Sequence, residues 1–294
     1  MKILLTGIGG QVGHYLNKKL SLSYEVIGVT RESFDLTNIS QMESVIDEVR
    51  PGLIINSAAY TYVDRAEKEP DLVFKTNVVA TKFLAKKSEN LGIPLIQLST
   101  DYIFDGLKKE AYTESDKPNP QSIYGKSKYD AETVIRECNP KHIILRTSWV
   151  YSLRGKNFLT TILDLAENKD SFDIVSDQMG SPTSAIFIAN TILEITNKIE
   201  QIEKNNLYGT YNLTCLGSTT WFEFAKTIIL YAKEKGLNLK STPESINPIK
   251  SSDFTSSVTR PKNSTLNNQK LVKTFEINCP EWRNELKLIM SNKI

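Results

Sequence analysis

The chain has 294 residues, of which 40% are hydrophobic, so it can bury a large core as one α/β unit or two interlocked domains. Lysine and arginine together number 36 and aspartate and glutamate 34, and this near balance argues against a polyanionic partner such as nucleic acid. The apolar stretch at the amino terminus is too short for a signal sequence or a membrane span, so we expect a cytoplasmic protein without a membrane partner.

Cysteine and histidine usage narrows the chemistry further. The three cysteines, Cys138, Cys215 and Cys279, lie far apart without metal-ligand spacing, and their odd number argues against a disulfide framework. The two histidines, His14 and His142, provide neither a histidine-rich metal cluster nor an evident general base. The sequence therefore predicts no metal site, and its chemistry must depend on other side chains.

The first 150 residues alternate short β-branched segments with longer helical patterns, which is typical of a parallel sheet. The predicted strands are apolar throughout, as expected when helices cover both faces of the sheet. Predicted strands lie at residues 3–6, 26–29, 53–56, 95–99 and 143–146, and predicted crossover helices at 12–20, 39–49 and 70–91. The expected fold class is α/β, a Rossmann-type doubly wound parallel sheet.

After Trp149 the pattern loosens, and a smaller C-terminal α/β substrate-binding lobe is expected. Helical patterns occur at 158–167, 185–199 and 219–235, with a strand-like segment at 209–213. We assign residues 1–150, together with roughly 171–200, to the dinucleotide-binding domain, and residues 151–170 and 201–294 to the substrate lobe. The polar segment 241–263 is either a linker or a loop that contacts a ligand.

A glycine pattern directly follows the first predicted strand and opens a helix. Gly7 would permit a tight turn, Gly10 would let the main chain approach a pyrophosphate, and Gly13 would allow close packing of helix on strand. The alternative is an ordinary glycine-rich turn, but the position in a βαβ pattern favours a bound dinucleotide.

The end of the second strand bears on the choice of cofactor. An NAD-specific site usually offers a carboxylate to the ribose 2′-hydroxyl, whereas here Arg31 precedes Glu32. Arg31 is either a solvated surface residue or a partner for a 2′-phosphate, so the sequence favours NADPH over NADH. Asp35 and Leu36 are expected to flank the adenine.

A tyrosine and a lysine four residues apart share one helix face, so the ammonium can stabilise phenolate and lower the tyrosine pKa. This spacing occurs at Tyr124 and Lys128, and again in two pairs that we interpret as surface pairs, Tyr15/Lys19 and Tyr231/Lys235. Only Tyr124 begins a helix after a proline-rich loop. We therefore expect Tyr124 to be a proton donor and Lys128 to activate it, and we expect both to contact the cofactor, whose ribose hydroxyls the lysine can also bond.

Thr100 lies where the fourth parallel strand ends, and ligands of open α/β sheets bind at the carboxyl ends of strands. A hydroxyl there can face Tyr124 across a substrate carbonyl. Thr100, Tyr124 and Lys128 together predict a reductase that delivers a hydride and a proton to a keto group.

Several longer segments are more specific than these short patterns. Together they resemble the dTDP-4-dehydrorhamnose reductase branch of the extended short-chain dehydrogenase/reductase family. The matching segments are residues 10–13, 56–61 with 63–64, 99–106, 124–128, 146–151, 177–183 and 260–264. The resemblance covers nearly the whole chain.

This resemblance implies NAD(P)H-dependent reduction of the C4 keto group of dTDP-4-dehydro-L-rhamnose, and so dTDP-L-rhamnose synthesis. It implies cofactor contacts by Gln11, Val12, Ala58, Ala59 and Thr61, with Tyr60 beside them. It also implies substrate contacts by Thr100, Asp101 and Trp149.

Trp149 and Arg260 each have a second interpretation. Trp149 could wall off a sugar or belong to the core, and Arg260 could bind substrate or form an ordinary salt bridge. The resemblance also leaves Mg²⁺ and a homodimer open. Tyr15 stands where relatives that dimerise through a metal carry a carboxylate, which argues against a metal-bridged dimer.

Two alternatives to this function stay open. The first is a reductase or epimerase of another nucleotide sugar, because pocket details decide that choice. The second is a non-catalytic regulatory subunit of the same fold, resembling the β-subunit of methionine adenosyltransferase. The presence of Thr100, Tyr124 and Lys128 counts against the regulatory alternative.

Overall fold

A computed structural model describes residues 1–201, 207–254 and 258–291 of the chain. Its strands are β1 (Lys2–Thr6), β2 (Glu25–Val29), β3 (Leu53–Asn56), β4 (Leu95–Thr100), β5 (His142–Thr147), β6 (Val150–Tyr151), β7 (Phe172–Val175), β8 (Met179–Gly180), β9 (Thr183–Ser184), β10 (Gly209–Asn212), β11 (Thr219–Thr220) and β12 (Ile246–Ile249). Its α-helices are α1 (Gln11–Leu20), α2 (Ile39–Val49), α3 (Val63–Ala66), α4 (Pro70–Phe74), α5 (Ala80–Asn90), α6 (Ile123–Cys138), α7 (Phe158–Asn168), α8 (Ala185–Gln201), α9 (Trp221–Glu234), α10 (Gln269–Phe275) and α11 (Trp282–Ser291).

Six strands form the main sheet, in the order β2–β1–β3–β4–β5–β10, and every pairing between neighbours is parallel. Successive side chains of a strand point to opposite faces, so Ile3 and Leu5 belong to one hydrophobic cluster and Leu4 to another. All three are fully buried. The two-sided burial explains the continuous apolar segments, and the predicted α/β doubly wound fold is confirmed.

The helices that the apolar period predicted are present, with one exception, whereas α3, α10 and α11 were not predicted. The single helix expected at 70–91 is divided into α4, a π-helical turn at Lys75–Val79, and α5. The π turn brings Asn77 into the interior, where its side chain bonds the main chain of Tyr60 beside the site described below. Such turns often occur at functional sites.

The second half contains three two-stranded ribbons: β6 with β9 and β7 with β12, both parallel, and β8 with β11, antiparallel. Placing residues 209–212 in the substrate lobe was wrong, because β10 is the sixth strand of the main sheet, paired with β5. A four-residue strand does not reveal its partner from sequence. The other lobe boundaries stay a prediction. The polar segment 241–263 contains β12, while residues 255–257 lie outside the described residues.

No helix within residues 1–201, 207–254 and 258–291 is both long enough and apolar enough to cross a bilayer.

Candidate functional site

Two adjoining cavities lie at the carboxyl ends of the main-sheet strands. The chain places β2 on one side of β1 and β3 on the other, and such reversals of strand order are where α/β sheets bind ligands. The glycine cavity, of about 410 Å³, lies at the ends of β1 and β2 and is lined by Gly9, Arg31 and Asp35 among others. The tyrosine cavity, of about 470 Å³, lies at the ends of β4 and β5. Both cavities are lined by Gly7, Gly10, Ala58 and Ala59, so one elongated ligand could extend through both.

The glycine turn has the backbone geometry that its spacing predicted. Gly7 has φ +73°, and its carbonyl accepts a hydrogen bond from the Gly10 amide at 2.9 Å. A Cβ atom on Gly13 would overlap the Gly7 carbonyl, so the close approach of α1 to the turn requires glycine there. A Cβ on Gly9, by contrast, would meet nothing within 4 Å.

The amino terminus of α1 is suited to phosphate. Its N-cap is Gly10, no side chain caps its first-turn amides, and that turn contains no acidic residue. Amides and helix dipole therefore direct partial positive charge toward the shared wall of the two cavities. Gln11 and Val12, at the start of this helix, line the tyrosine cavity. The residues present fit a dinucleotide pyrophosphate.

The far wall of the glycine cavity follows β2. Arg31 is exposed, Leu36 is buried, and Asp35 accepts hydrogen bonds from the Thr37 amide at 2.8 Å and the Thr37 hydroxyl at 2.9 Å. The hydrogen bond from the Thr37 amide is the main reason that the Asp35 pKa is lowered, and the charges of Arg31 and Lys75 act in the same direction. This wall therefore contains a carboxylate that Thr37 holds in place and that the charges of Arg31 and Lys75 stabilise.

The segment after β3 forms the floor between the cavities. Tyr60 lines the glycine cavity and Thr61 the tyrosine cavity. The Tyr60 amide donates to the Asn77 side chain at 2.8 Å, and the Tyr60 hydroxyl donates to Glu69 at 2.8 Å. Asn77 was not singled out in the sequence, since a lone asparagine within a helical pattern carries no distinguishing signal.

Tyr124, Thr100 and Lys128 meet in the tyrosine cavity. Tyr124 lies in the first turn of α6, whose N-cap Ser122 accepts from the Gly125 amide at 3.0 Å. Thr100, the last residue of β4, lines the same cavity; its hydroxyl donates to Asp101 at 3.0 Å and accepts from the Tyr102 amide at 3.2 Å. The three residues chosen from the sequence are therefore brought together by β4 and α6.

The Lys128 ammonium is not among the charges that set the Tyr124 pKa in this structure, so activation of Tyr124 by Lys128 stays a prediction. The Lys128 ammonium donates to the Leu98 carbonyl at 2.7 Å. Burial raises the pKa of Tyr124 well above its ordinary value, although its bond with Thr100 acts in the opposite direction. Burial also lowers the pKa of Lys128 to about 8. For the Tyr124 pKa, the effect of lost hydration is therefore the larger one. The helical spacing places Lys128 on the same face as Tyr124, but it does not fix the direction in which the flexible lysine side chain points.

Asp101 is a buried carboxyl at the same edge. It is only 2% exposed, and burial raises its pKa to about 6 even though the Thr100 hydroxyl donates to it at 3.0 Å. The next residue, Tyr102, packs edge-on against Tyr124 with ring centroids 5.6 Å apart. Tyr102 carried no signal of its own in the sequence, although it lies within a segment that carried the resemblance.

Trp149 lines the tyrosine cavity just after β5. Its indole is stacked on that of Trp221, with centroids 3.4 Å apart and planes 6° from parallel. Trp149 thus contacts both the cavity and the hydrophobic core, and the two interpretations from sequence are not exclusive. Trp221 carried no signal, because its distance along the chain from Trp149 hides the contact.

Arg260 lies outside both cavity linings and forms an ion pair with Asp64 of α3 at 3.0 Å. Its charge nevertheless acts on Tyr102, a lining residue of the tyrosine cavity. The salt-bridge interpretation therefore describes its observed partner, and substrate binding by Arg260 stays a prediction.

Within the described part of the chain, no group of three or more histidine, cysteine, aspartate or glutamate side chains is placed to hold a metal ion. Mg²⁺ has no support from these residues.

Comparison with known proteins gives consistent matches over nearly the full length. The sequence model of the family described as RmlD substrate binding domain matches residues 1–293. The dTDP-4-dehydrorhamnose reductase of Sinorhizobium fredii is 38% identical over 283 residues, which cover 96% of this chain and 94% of that protein.

Solved structures agree with this result. A dTDP-4-dehydrorhamnose reductase from Bacillus anthracis, in complex with NADP, has a TM-score of 0.91 at 35% identity over 99% of each chain. The corresponding protein from Clostridium acetobutylicum has a TM-score of 0.90 at 36% identity, again over 99% of each chain.

Proposed function

The chain belongs to the RmlD substrate binding domain family, and from that premise we propose that it reduces the C4 keto group of dTDP-4-dehydro-L-rhamnose to dTDP-L-rhamnose, using NAD(P)H. The observation that carries the proposal is that Thr100, Tyr124 and Lys128 line one cavity, which the glycine turn also lines. Neither alternative from the sequence is favoured by the relatives, which are named as reductases of this sugar.

The glycine cavity and its junction with the tyrosine cavity would hold the dinucleotide. When bound, the nicotinamide cofactor supplies a hydride. The α1 amides from Gln11 onward would bind its pyrophosphate, and Ala58 and Ala59 would let it pass between the cavities. Asp35 and Leu36 would flank the adenosine end.

Thr100 and Tyr124 would complete the reduction. The Thr100 hydroxyl orients the substrate carbonyl, and the Tyr124 hydroxyl gives its proton to the carbonyl oxygen as negative charge develops there. With its raised pKa, Tyr124 keeps that proton at neutral pH until the substrate oxygen becomes the stronger base. Proton donation by an oriented group contributes roughly 100-fold to 10,000-fold in rate.

Lys128 would supply positive charge to this step. Its pKa of about 8 leaves it mostly protonated at neutral pH, although it is buried. A buried cation near Tyr124 offsets the charge left on the phenolate after proton transfer. Above about pH 8 that charge is lost, so we expect activity to decline on the alkaline side.

Trp149 and Asp101 would contact the sugar nucleotide, since both line the tyrosine cavity. For the cofactor we propose NADPH rather than NADH. Arg31 and Lys75 both act electrostatically on Asp35 at the wall where a 2′-phosphate would lie, and two cations there favour the more negative cofactor. A homodimer and a cytoplasmic location stay predictions.

The test is the oxidation of NADPH and NADH at 340 nm with dTDP-4-dehydro-L-rhamnose generated in situ. We expect sugar-dependent oxidation, faster with NADPH. Tyr124→Phe should lower kcat by roughly 100-fold to 10,000-fold, because it removes the acid, while leaving NADPH binding within about twofold.

Tyr231→Phe is the matched control, because Tyr231 has the same spacing to Lys235 but lies on α9. It should keep the wild-type rate. Near-normal turnover by Tyr124→Phe would contradict the proposed role of Tyr124. A wild-type protein that binds NADPH but does not oxidise it with this sugar would contradict the substrate.

A further inference from the structure

Trp149 has a backbone conformation that needs an explanation. Among the described residues, three that are not glycine have positive φ: Arg50, Trp149 and Glu276. Arg50 and Glu276 are the C-cap residues of α2 and α10, where left-handed geometry is common. Trp149, at φ 47°, follows a strand and caps no helix. A bulky residue keeps this conformation only when its surroundings hold it there, and such residues cluster at functional sites.

The Trp149 indole is stacked on the indole of Trp221. Their rings are parallel within 6° at a centroid distance of 3.4 Å. Trp221 is itself held by Phe158, at 4.4 Å and 45°. Trp221 does not line the tyrosine cavity, whereas Trp149 does. Trp149 is therefore the contact through which Trp221 can act on a ligand in that cavity.

The β8–β11 ribbon brings both supports to the indole. Thr219 of β11 is paired with Gly180 of β8, and Trp221 follows β11 directly as the first residue of α9. A Cβ atom on Gly180 would overlap the indole edge of Trp149 that contains Nε1, Cε2 and Cζ2. The ribbon thus supplies a residue with no side chain where the indole edge lies and a flat ring for the indole to stack on.

We propose that Trp221 is a positioning residue that holds the Trp149 indole in one orientation as the wall of the substrate cavity. The role of that wall in sugar binding rests on the proposed function. Stacked aromatic pairs contribute beyond their buried area, so loss of Trp221 should free the indole to adopt other rotamers. The wall would then offer the sugar a less defined surface.

The first measurement is spectroscopic and needs no substrate. Two closely stacked indoles couple their electronic transitions, and this coupling gives a paired positive and negative band in the far-ultraviolet circular dichroism spectrum. We expect Trp149→Phe and Trp221→Phe each to abolish the same band pair. Trp282→Phe, which alters the remaining tryptophan in the fully buried core, should preserve it.

The second measurement is kinetic. We expect Trp221→Ala to raise the sugar KM about threefold to tenfold, the size of a lost aromatic stacking contact, with kcat changed less and NADPH affinity within about twofold. Trp221→Phe should restore most of the loss, because phenylalanine can still stack. In the Trp149→Ala background, Trp221→Ala should add nothing, since its effect passes through Trp149.

Three results would overturn the proposal. One is a sugar KM within twofold of wild type in a folded Trp221→Ala variant. Another is an equal KM increase in Trp282→Phe, which would indicate general loosening of the core. The third is full additivity of the Trp149 and Trp221 substitutions. Because the spectrum does not depend on the sugar, failure of the proposed substrate would leave the stacking test intact.

Discussion

The glycine turn at residues 7–13 shapes its cavity with main chain, whereas the wall at Trp149 is built from side chains. At the turn, Gly7 and Gly13 let two main-chain segments approach each other, and uncapped amides face the cavity. At the wall, the orientation of Trp149 depends on Trp221 and on the absence of a side chain at Gly180. The first arrangement is contained within seven consecutive residues, while the second joins three distant segments.

Because of this difference, substitutions at the glycine turn and at the Trp149 wall should have different effects. The main chain of the glycine turn cannot move without disturbing the sheet. A substitution at the turn therefore affects folding and cofactor binding together. A stacked side chain can move while the fold persists, so a change at the wall affects mainly the fit of the sugar. Such walls allow members of one fold to differ in substrate.

Among substitutions that test this difference, the largest effect on stability and cofactor binding is expected at Gly13. In Gly13→Ala, the new Cβ would overlap the Gly7 carbonyl, and overpacking of this kind costs about 1–3 kcal/mol in the free energy of unfolding. The displaced turn should also weaken NADPH binding by about tenfold or more, since its amides would no longer converge on the pyrophosphate. Chemical denaturation and calorimetric titration with NADPH measure the two effects.

Gly9→Ala is the control, because a Cβ there meets nothing within 4 Å. It should leave the free energy of unfolding near its wild-type value, so it controls the stability measurement. If Gly13→Ala bound NADPH as well as wild type does, the close approach of α1 to the turn would not matter for the cofactor.

Asp35 in the glycine cavity and Asp101 in the tyrosine cavity should differ in how they make stability depend on pH. Asp35 has its pKa lowered, mainly by the Thr37 amide, whereas burial raises that of Asp101 from an ordinary 3.8 to about 6. The stability that Asp101 contributes is therefore fully present below about pH 4 and is lost as pH rises through 6. Relative to Asp101→Asn, the free energy of unfolding of the wild type should fall by up to about 3 kcal/mol between pH 4 and 7.

Urea denaturation of both proteins at several pH values in this range provides the measurement. Asp35→Asn is the control: because the lowered Asp35 pKa lies below 3.8, its stabilising contribution is already present throughout this range, and wild type and Asp35→Asn should have parallel pH profiles there. Parallel pH profiles for wild type and Asp101→Asn would show that burial does not hold the Asp101 proton.

The smallest effect on stability is expected at the ion pair of Arg260 and Asp64. Both side chains are partly exposed, at 31% and 51%, so breaking the pair should cost less than about 1 kcal/mol. The informative comparison is between Arg260→Gln and Asp64→Asn in the sugar KM. A severalfold rise in Arg260→Gln alone would assign Arg260 to the substrate, and equal KM values would leave it as a salt-bridge partner only.

The amino-acid sequence by itself determined the sheet, the crossover helices and the glycine turn. The apolar composition of segments such as residues 53–56 is enough to predict that they are buried. Gly7 and Gly13 stand where one turn requires a positive φ and a close approach of main chain. These features depend on neighbours along the chain. Local periodicity and spacing therefore suffice to predict them.

Only the tertiary structure decided which distant residues meet. It paired β10 with β5, turned the Lys128 ammonium toward Leu98, and stacked Trp221 on Trp149. It also set the pKa direction of Tyr124, where the loss of water outweighs the hydrogen bond with Thr100. Burial and contact between remote segments exist only after packing, and the strength of a charge or a stack depends on them.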